Sequence, residues 1–210
     1  MKRVPLFISF EGPEGSGKST HIKLLFNYLK RKGFLVVKFR EPGDTSIGEK
    51  IRKILLDPKN KNMGKLTETL LYMASRSQLI EEKISPYLKK GYIVLCDRFF
   101  DSTFAYQGFG LGVDIDLIKR LTKAVCKGII PNLTIILDLP VKTGLRRLGS
   151  YKDRIEQREF SFHERLRRGY LKLAKLYPER IKVIKVDKNF KNTQRKIREL
   201  VLKRLCPLKI

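Results

Sequence analysis

The sequence contains few cysteines and histidines and has no long apolar run. Its three cysteines (Cys96, Cys126 and Cys206) and two histidines (His21 and His163) follow neither a disulfide nor a metal-site spacing. We therefore expect buried, reduced thiols in a cytoplasmic protein, and structural roles for both histidines. No segment approaches the roughly 18 apolar residues that a transmembrane helix needs. Because the chain runs from its first residues directly into an apolar segment, we expect neither a membrane span nor a signal peptide.

Acidic residues are also scarce, at 21 Asp and Glu against 46 Lys and Arg, which gives a formal net charge of +25. After position 140 there are 22 basic and 7 acidic residues. A nucleic-acid partner is one explanation, and attraction of small polyanionic ligands by a generally basic surface is the other. The basic residues are spread along amphipathic helices and are not interleaved with aromatic side chains, as a single-strand binding platform would require. This favours small ligands and argues against nucleic acid as a partner.

Apolar runs alternate with amphipathic segments along the whole chain, a pattern typical of strands alternating with helices. We predict strands at residues 4–10, 34–39, 92–96, 133–137 and 181–186. Helices are predicted at residues 18–32, 47–56, 65–88 with an interruption near Ser85-Pro86, 114–126, 141–148, 157–176 and 193–205. The sequence therefore predicts an α/β fold in one domain over residues 1–210: a doubly wound, five-stranded parallel sheet with helices on both faces.

A glycine-rich segment, Gly-Pro-Glu-Gly-Ser-Gly-Lys-Ser-Thr at residues 12–20, lies between the first predicted strand and the first helix. This order is that of a phosphate-binding loop, whose backbone N–H groups and following helix N-terminus bind phosphate oxygens. In such a loop Lys18 reaches the β- and γ-phosphates, and the Ser19 hydroxyl is a ligand of Mg²⁺. We therefore predict a nucleoside triphosphate site formed by Gly12, Glu14, Gly15, Ser16, Gly17, Lys18, Ser19 and Thr20.

Polar and charged residues follow the other predicted strands, at the points where those strands end. The second strand is followed by residues 40–45, the third by Asp97-Arg98, and the fourth by a segment containing Arg147 and Arg154. The carboxyl ends of parallel strands share one edge of a sheet, where ligands bind. Asp97 is suited to holding Mg²⁺ and Arg98 to binding a second phosphate. A helix cap or ion pair is the alternative for Asp97, and a solvated basic surface is the alternative for Arg147 and Arg154.

Glu14 is unusual in a phosphate-binding loop, because phosphates repel a carboxylate. Chemistry alone leaves two roles open for it: contact with a hydroxyl group of a second substrate, or a solvated loop side chain. The chain contains no Asn-Lys-x-Asp guanine-reading motif and no Asp-x-x-Gly after a strand, which argues against a GTPase. Arg40, Arg52 and Arg98 at the same predicted edge indicate a small phosphorylated acceptor instead.

Four separated motifs resemble those of the thymidylate kinase family, enzymes that transfer a phosphoryl group from MgATP to dTMP. The motifs are residues 10–20, Arg-Glu-Pro-Gly at 40–43, Asp-Arg-Phe…Ser-Thr-x-Ala-Tyr-Gln-Gly at 97–108, and Asp-Arg-Ile-Glu at 153–156. The third is highly specific, because its Ala-Tyr-Gln-Gly segment has no generic explanation in a phosphate-binding-loop protein. The resemblance extends from residue 10 to about residue 187 and implies the nucleoside monophosphate kinase fold, ATP and dTMP as substrates, Mg²⁺, and a homodimer.

The resemblance also implies a role for each matching residue. Glu14 would contact the ribose of dTMP, Tyr72 would stack on thymine, and Arg76 would donate to a thymine carbonyl. Arg98 would hold the acceptor phosphate, with Asp97 on the magnesium side. The complete implied dTMP site is Glu14, Arg40, Arg52, Tyr72, Arg76, Arg98, Thr103, Tyr106 and Gln107.

Family members that have no basic residue in the phosphate-binding loop supply arginine from a lid, which is the bacterial-type arrangement. Loop positions 13–16 are Pro, Glu, Gly and Ser, so the resemblance implies a short lid over about residues 142–156. The implied catalytic residues are Lys18, Asp97, Arg98, Arg147 and Arg154, and the implied metal ligands are Ser19 and Asp97.

Three positions depart from the family pattern. Gly149 lies where a second lid arginine is expected, Asp44 replaces a glycine after Pro-Gly, and Tyr72 replaces a phenylalanine. The sequence predicts a cytoplasmic, ATP-dependent dTMP kinase. A kinase for dUMP or another pyrimidine monophosphate and a nucleic-acid-binding NTPase are the alternatives; the intact Lys18 and Arg98 argue against an inactive relative.

Overall fold

The computed structural model describes residues 2–205 and has a five-stranded parallel sheet at its centre. The strands are β1 (Leu6–Glu11), β2 (Val36–Arg40), β3 (Ile93–Asp97), β4 (Leu133–Asp138) and β5 (Ile181–Lys185). Their order across the sheet is β2-β3-β1-β4-β5, and every neighbouring pair is parallel. All five predicted strands are present with boundaries within two residues of the prediction, which confirms the predicted fold class.

Helices cover both faces of this sheet. They are α1 (Lys18–Arg31), α2 (Ser46–Leu56), α3 (Lys65–Leu79), α4 (Ser85–Lys89), α5 (Phe100–Thr103), α6 (Ile115–Cys126), α7 (Val141–Arg146), α8 (Phe160–Leu176) and α9 (Phe190–Leu205). Two π-helical segments, Ile80–Ile84 and Phe104–Gly110, connect α3 to α4 and extend α5. Within residues 2–205, no helix is both long and apolar enough to cross a bilayer.

Two details of the helix prediction are corrected. The chain stays helical through Ser85-Pro86, because the π-helical segment Ile80–Ile84 runs directly into α4 and accommodates the proline within a continuous helical stretch. The prediction also placed no helix between residues 97 and 114, where α5 and the second π-helical segment lie. Aromatic residues, threonine and glycine give this stretch low intrinsic helix propensity, and tertiary packing against α8 stabilises it.

Alternate side chains of the strands pack into opposite layers of the core. Leu6, Ile8 and Phe10 of β1 pack with α1 and α9 on one face. Phe7 packs on the other face in a cluster with Cys96 and Cys126. Both of these cysteines are buried free thiols, as predicted, whereas Cys206 lies outside the described residues.

The strand register brings the carboxyl ends of three strands together. Asp97 at the end of β3 is paired with Phe10 of β1 on one side and with Arg40 of β2 on the other. The segments that follow these strands therefore start side by side at one edge of the sheet. This edge carries the candidate site.

Candidate active site

The glycine-rich loop between β1 and α1 is fixed by backbone conformation and by close packing. Gly12, Gly15 and Gly17 have φ angles of +135°, +68° and +86°, which side chains other than glycine rarely tolerate. A Cβ atom on Gly12 would lie 2.5 Å from the carbonyl oxygen of Leu137, and one on Gly15 would overlap the backbone of Gly144. The loop is therefore seated against the end of β4 and against α7.

Lys18 is the first residue of α1, and its side chain folds back over the loop. Its Nζ donates to the carbonyl oxygens of Gly12 at 3.1 Å and Pro13 at 3.0 Å. Burial and the nearby charge of Arg98 lower the pKa of Lys18 to about 8, although neighbouring carboxylates oppose this shift. The ammonium group is thus held close to the loop backbone, on the wall of the adjoining cavity.

Ser19 and Asp97 lie beside Lys18 and contact each other directly. The Ser19 hydroxyl donates to Oδ2 of Asp97 at 2.6 Å. A hydroxyl and a carboxylate oxygen are hard donors of the kind that Mg²⁺ prefers, and Mg²⁺ usually takes its other ligands from water and substrate phosphates. Between residues 2 and 205 no cluster of three or more His, Cys, Asp or Glu side chains could hold a metal ion. The donor set therefore fits a Mg²⁺ ion that binds together with a nucleotide.

A cavity of about 290 Å³ opens next to the loop, near the lower limit of typical small-molecule sites. The five basic residues on its wall are Lys18, Arg40, Arg52, Arg76 and Arg98, and the five acidic residues are Glu14, Glu41, Asp97, Asp153 and Glu156. All nine residues of the predicted dTMP site line this cavity. The structure thus brings together residues that span positions 14 to 107 of the chain.

Arg98 and Glu14 form an ion pair at the junction of the loop and the cavity. Nη2 of Arg98 donates to Oε1 of Glu14 at 3.2 Å, and Nη1 donates to the Gly12 carbonyl oxygen at 3.0 Å. The guanidinium group also lies 4.8 Å from the centre of the Tyr106 ring, whose hydroxyl donates to Glu14. Arg98 has a φ angle of +71°, an uncommon conformation for a residue with a side chain.

Glu14 is buried, which excludes the alternative of a solvated loop side chain. Burial alone would raise the pKa of Glu14, but His163 and the charges of Arg98 and Lys18 outweigh it and lower the pKa to about 2. His163 Nδ1 lies 3.6 Å from Oε2 of Glu14. Glu14 is therefore a buried carboxylate anion that balances the positive charge at this end of the cavity.

The opposite end of the cavity contains Arg76, one of the largest fully buried side chains. Its Nη2 atom lies 2.8 Å from Oε2 of Glu41 and donates to the Thr103 hydroxyl at 2.9 Å. Gln107 donates through Nε2 to Oε1 of Glu68 at 2.9 Å. These polar groups converge from α3, from the loop after β2 and from the α5 region, in an arrangement suited to recognising a polar ring.

Arg40 and Arg52 lie at the rim of the cavity. Arg40 is half-buried and makes ion pairs with Asp44 at 3.3 Å and Glu49 at 2.6 Å. Arg52 donates to the Pro42 carbonyl oxygen at 2.9 Å. Asp44, one of the departures from the family pattern, is thus already neutralised by Arg40.

The two predicted lid arginines have different environments, and neither is among the described residues that line the cavity. Arg147 is exposed, and its Nη1 donates to the Gly15 carbonyl oxygen at 3.2 Å. Arg154 is buried: Nη2 lies 2.7 Å from Oε2 of Glu68, and Nε donates to the Leu55 carbonyl oxygen at 2.7 Å. Arg147 therefore lies beside the phosphate-binding loop, whereas Arg154 anchors the segment after α7 to α2 and α3. A catalytic role for either arginine stays a prediction.

The prediction omitted several residues that line the cavity, namely Glu41, Pro42, Leu56, Ser102, Asp153, Ile155 and Glu156. Glu41, Pro42, Ser102, Asp153, Ile155 and Glu156 belong to the family-like motifs, so the motifs themselves were the available signal. Leu56 is an ordinary apolar residue at the end of α2, and no sequence signal distinguishes it.

The parallel sheet with its phosphate-binding loop, and the arginine-containing cavity that opens next to that loop, define a P-loop kinase of the nucleoside monophosphate kinase type. A family model for thymidylate kinase matches residues 10–197. The chain therefore belongs to the thymidylate kinase family.

Individual relatives agree with this assignment. The chain is 44% identical over 202 residues to the thymidylate kinase of Exiguobacterium sp. AT1b, covering 95% of each chain. It is 51% identical over 174 residues to that of Halothermothrix orenii, covering 80% of this chain and 84% of the relative. A crystal structure of thymidylate kinase from Ehrlichia chaffeensis superposes with a TM-score of 0.77 at 33% identity, covering 94% of this chain and 98% of the other.

Proposed function

We propose that this protein transfers the γ-phosphoryl group of ATP to dTMP, giving dTDP and ADP. One observation carries this proposal: the phosphate-binding loop opens directly into a cavity lined by Arg98 and by the polar groups around Arg76. A triphosphate on the loop and a monophosphate in the cavity would share the space between Lys18 and Arg98. This is the positioning that phosphoryl transfer requires.

In the proposed complex, Lys18 lies between the β- and γ-phosphates of ATP and neutralises their charge. The backbone of residues 12–20 and the start of α1 bind the same phosphates. Ser19 and Asp97 would hold Mg²⁺, which when bound screens the charge of the transferring group. The donor site as a whole would use Gly12, Glu14, Gly15, Ser16, Gly17, Lys18, Ser19 and Thr20.

Arg98 would hold the acceptor phosphate, and the Glu14 carboxylate beside it would face the sugar. Tyr72 and Arg76 would contact the thymine ring, with Thr103 and Gln107 next to it and Tyr106 beneath the deoxyribose. No general base is needed, because a phosphate monoester already carries an ionised oxygen at pH 7. Arg147 at the loop would stabilise the charge of the transferring group when the segment after α7 closes.

Substrate choice is tested by measuring nucleoside diphosphate formation from dTMP, dUMP, UMP, dCMP and AMP under identical conditions. We expect at least a tenfold preference in kcat/KM for dTMP. A smaller preference would support a broader pyrimidine monophosphate kinase. ATP hydrolysis that DNA stimulates, without transfer to any monophosphate, would support the nucleic-acid-binding NTPase.

We further propose that the protein forms a homodimer in the cytoplasm. The packed helices α2 and α3 expose four large apolar side chains: Ile47, Ile54, Leu66 and Leu70 are 45–50% exposed. Apolar side chains grouped on adjacent helices favour association with a second copy of the same surface. A cytoplasmic location is supported by the buried free thiols of Cys96 and Cys126, which suit a reducing compartment.

A further inference from the structure

We infer that Glu11, a buried carboxyl group outside the cavity, positions Arg98 through the hydroxyl groups of Ser102 and Tyr170 and thereby sets the affinity for the acceptor phosphate. The inference rests on the proposed function, in which Arg98 binds that phosphate. Glu11 is the last residue of β1, is 0% exposed and is not part of the described cavity wall. It would therefore act as a positioning residue that does not touch the substrate.

The carboxyl group of Glu11 is surrounded by hydrogen-bond donors. Its Oε2 accepts from the Ser102 hydroxyl at 2.5 Å and from the Tyr170 hydroxyl at 3.1 Å. Its Oε1 accepts from the backbone N–H of Phe99 at 2.7 Å. Glu11 makes no ion pair within 4.0 Å in the described part of the chain, so neutral groups provide its direct contacts.

The same two hydroxyl groups also contact Arg98. Nη1 of Arg98 donates to the Tyr170 hydroxyl oxygen at 3.1 Å and, at a longer 3.4 Å, to that of Ser102. The two hydroxyl oxygens lie 2.8 Å apart. Ser102 and Tyr170 thus bridge a carboxyl group that faces the core and a guanidinium group that faces the cavity.

The charged groups at the two ends of this bridge determine which way its hydrogen bonds are donated. A guanidinium group can only donate hydrogen bonds, and a carboxylate can only accept them. The hydroxyl protons therefore point toward Glu11, and their oxygen lone pairs remain free to accept from Arg98. Hydrogen bonds with a charged partner at each end are stronger than neutral ones. The bridge orients the guanidinium group of Arg98 through Nη1 and leaves Nη2 directed at Glu14.

Protonation of Glu11 would reverse this direction, because a protonated carboxyl group donates to the hydroxyl oxygens that Arg98 needs. Burial, followed by the neighbouring Asp101 carboxylate, raises the pKa of Glu11 to about 8, against the effects of Ser102, Arg98 and the Phe99 N–H group. The charged and titratable groups that act on Glu11 from the surrounding elements are Lys18, Arg76, Cys96, Arg98, Asp101, Tyr170 and Arg180. Asp101 is itself paired with Arg180 at 2.6 Å. The bridge is therefore complete at alkaline pH and is lost as the pH falls through about 8.

The test compares the wild-type protein with Glu11→Gln and Tyr170→Phe, using KM for dTMP, KM for ATP, kcat and calorimetric dTMP binding at pH 9. Both variants are expected to raise KM and Kd for dTMP about tenfold, the usual effect of losing a charged hydrogen bond. KM for ATP is expected to change less than about twofold, because the side chain of Lys18 is held by loop carbonyl oxygens and makes no hydrogen bond to Glu11, Ser102 or Tyr170. Tyr87→Phe, a tyrosine of α4 remote from the cavity, is the matched control and should match the wild type.

The pH profile separates a positioning role from a purely structural one. The ratio of dTMP KM between Glu11→Gln and wild type should rise from about one at pH 6.5 to about ten at pH 9. Ionisation of the substrate phosphate occurs in both proteins and cancels in this ratio, whereas the charge of Lys18, on which Glu11 also acts, is followed through KM for ATP. The variant that carries both Glu11→Gln and Tyr170→Phe should have a KM for dTMP no higher than that of the weaker-binding single variant, since both changes break the same bridge.

Three results would overturn the inference: an unchanged dTMP affinity in Tyr170→Phe, an equal loss of ATP and dTMP affinity, or a ratio that does not depend on pH. Tyr170→Phe keeps the aromatic ring in the core, so the test stands even where Glu11→Gln fails to fold. A wild-type protein that phosphorylates dTMP with these results would refute the inference alone. A wild-type protein that does not phosphorylate dTMP would refute both the inference and the proposed function.

Discussion

Single residues of the site neutralise one another. Glu14 is paired with Arg98, Glu41 with Arg76, and the ammonium of Lys18 lies on loop carbonyl oxygens. Each of these carboxylates is buried beside its arginine, so removing one partner would leave an uncompensated buried charge. A bound phosphate would compete with these carboxylates and carbonyls for the same cations, which ties substrate affinity to the strength of the existing pairs.

Lys18→Ala is expected to lower kcat by at least about a hundredfold, the usual loss when a group that stabilises transition-state charge is removed. A spectrophotometric assay of ADP formation with dTMP measures this. The control is Lys23→Ala, an exposed lysine of α1, which should retain wild-type activity. Near-normal turnover in Lys18→Ala would refute the assignment of the phosphate-binding loop as the donor site.

Glu14 is expected to make stability depend on pH below about 4.5. Its pKa of about 2 in the folded protein lies below its ordinary value of 4.5, so its contribution is complete above pH 4.5 and is lost as the pH falls toward 2. A pKa shift of this size corresponds to a contribution of about 3 kcal/mol to the free energy of unfolding. Urea unfolding between pH 3 and 6 should show the stability difference between wild type and Glu14→Gln shrinking as the pH falls. A difference that stays constant would contradict the prediction.

At the scale of elements, a buried junction at Glu68 ties the segment after α7 to the rest of the site. Glu68 of α3 pairs with Arg154 at 2.7 Å and with Arg158 at 2.6 Å, and it accepts from Gln107 at 2.9 Å. The same segment therefore supplies cavity residues such as Asp153 and is anchored on the helix that carries Tyr72 and Arg76. Movement of the segment during a reaction cycle would have to occur between α7 and this anchor.

Arg147→Ala is expected to lower turnover, whereas Arg154→Ala is expected to lower stability. Arg147 is exposed, so its loss should lower kcat by about tenfold or more while leaving the free energy of unfolding within about 0.5 kcal/mol. Arg154 is buried in an ion pair with Glu68, which keeps Arg158 as a second partner, so its loss should reduce the free energy of unfolding by about 1.5–3 kcal/mol. Chemical denaturation together with single-turnover kinetics checks both. A stable Arg154→Ala protein with abolished turnover would instead make Arg154 the acting lid arginine.

At the scale of the whole molecule, the surface combines a net charge of +25 with an exposed apolar face on α2 and α3. The charge attracts polyanionic nucleotides over long range and keeps molecules apart. The exposed apolar side chains of α2 and α3 favour association of two molecules and so counteract this electrostatic repulsion. These two properties are the physical basis of the proposed homodimer.

Leu70→Glu is expected to convert the proposed dimer into a monomer, because it places a charge on the exposed apolar face of α3. Sedimentation velocity at several protein concentrations measures the change. The matched control is Leu176→Glu, in which a leucine at the end of α8 that is 57% exposed, against 45% for Leu70, is replaced; this variant should sediment like the wild type. A wild-type protein that sediments as a monomer would contradict the dimer.

The sheet, the phosphate-binding loop and nine of the residues that line the cavity could be predicted from the sequence. Apolar runs specify buried strands locally, and the loop depends on glycines whose conformation is a property of the residue itself. Since polar residues at the ends of parallel strands must lie at one edge, Arg40, Asp97 and Arg98 could be placed together without a structure.

The tertiary structure alone decided which of these charges pair and which residues lie behind them. Glu11 and Tyr170 are 159 positions apart, and Glu68 and Arg158 are 90 positions apart, so no local pattern relates them. The helical path of residues 100–110 likewise depends on packing against α8, since its own propensity does not favour a helix. Burial is what distinguishes Arg154 from Arg147, and burial exists only once the chain has folded.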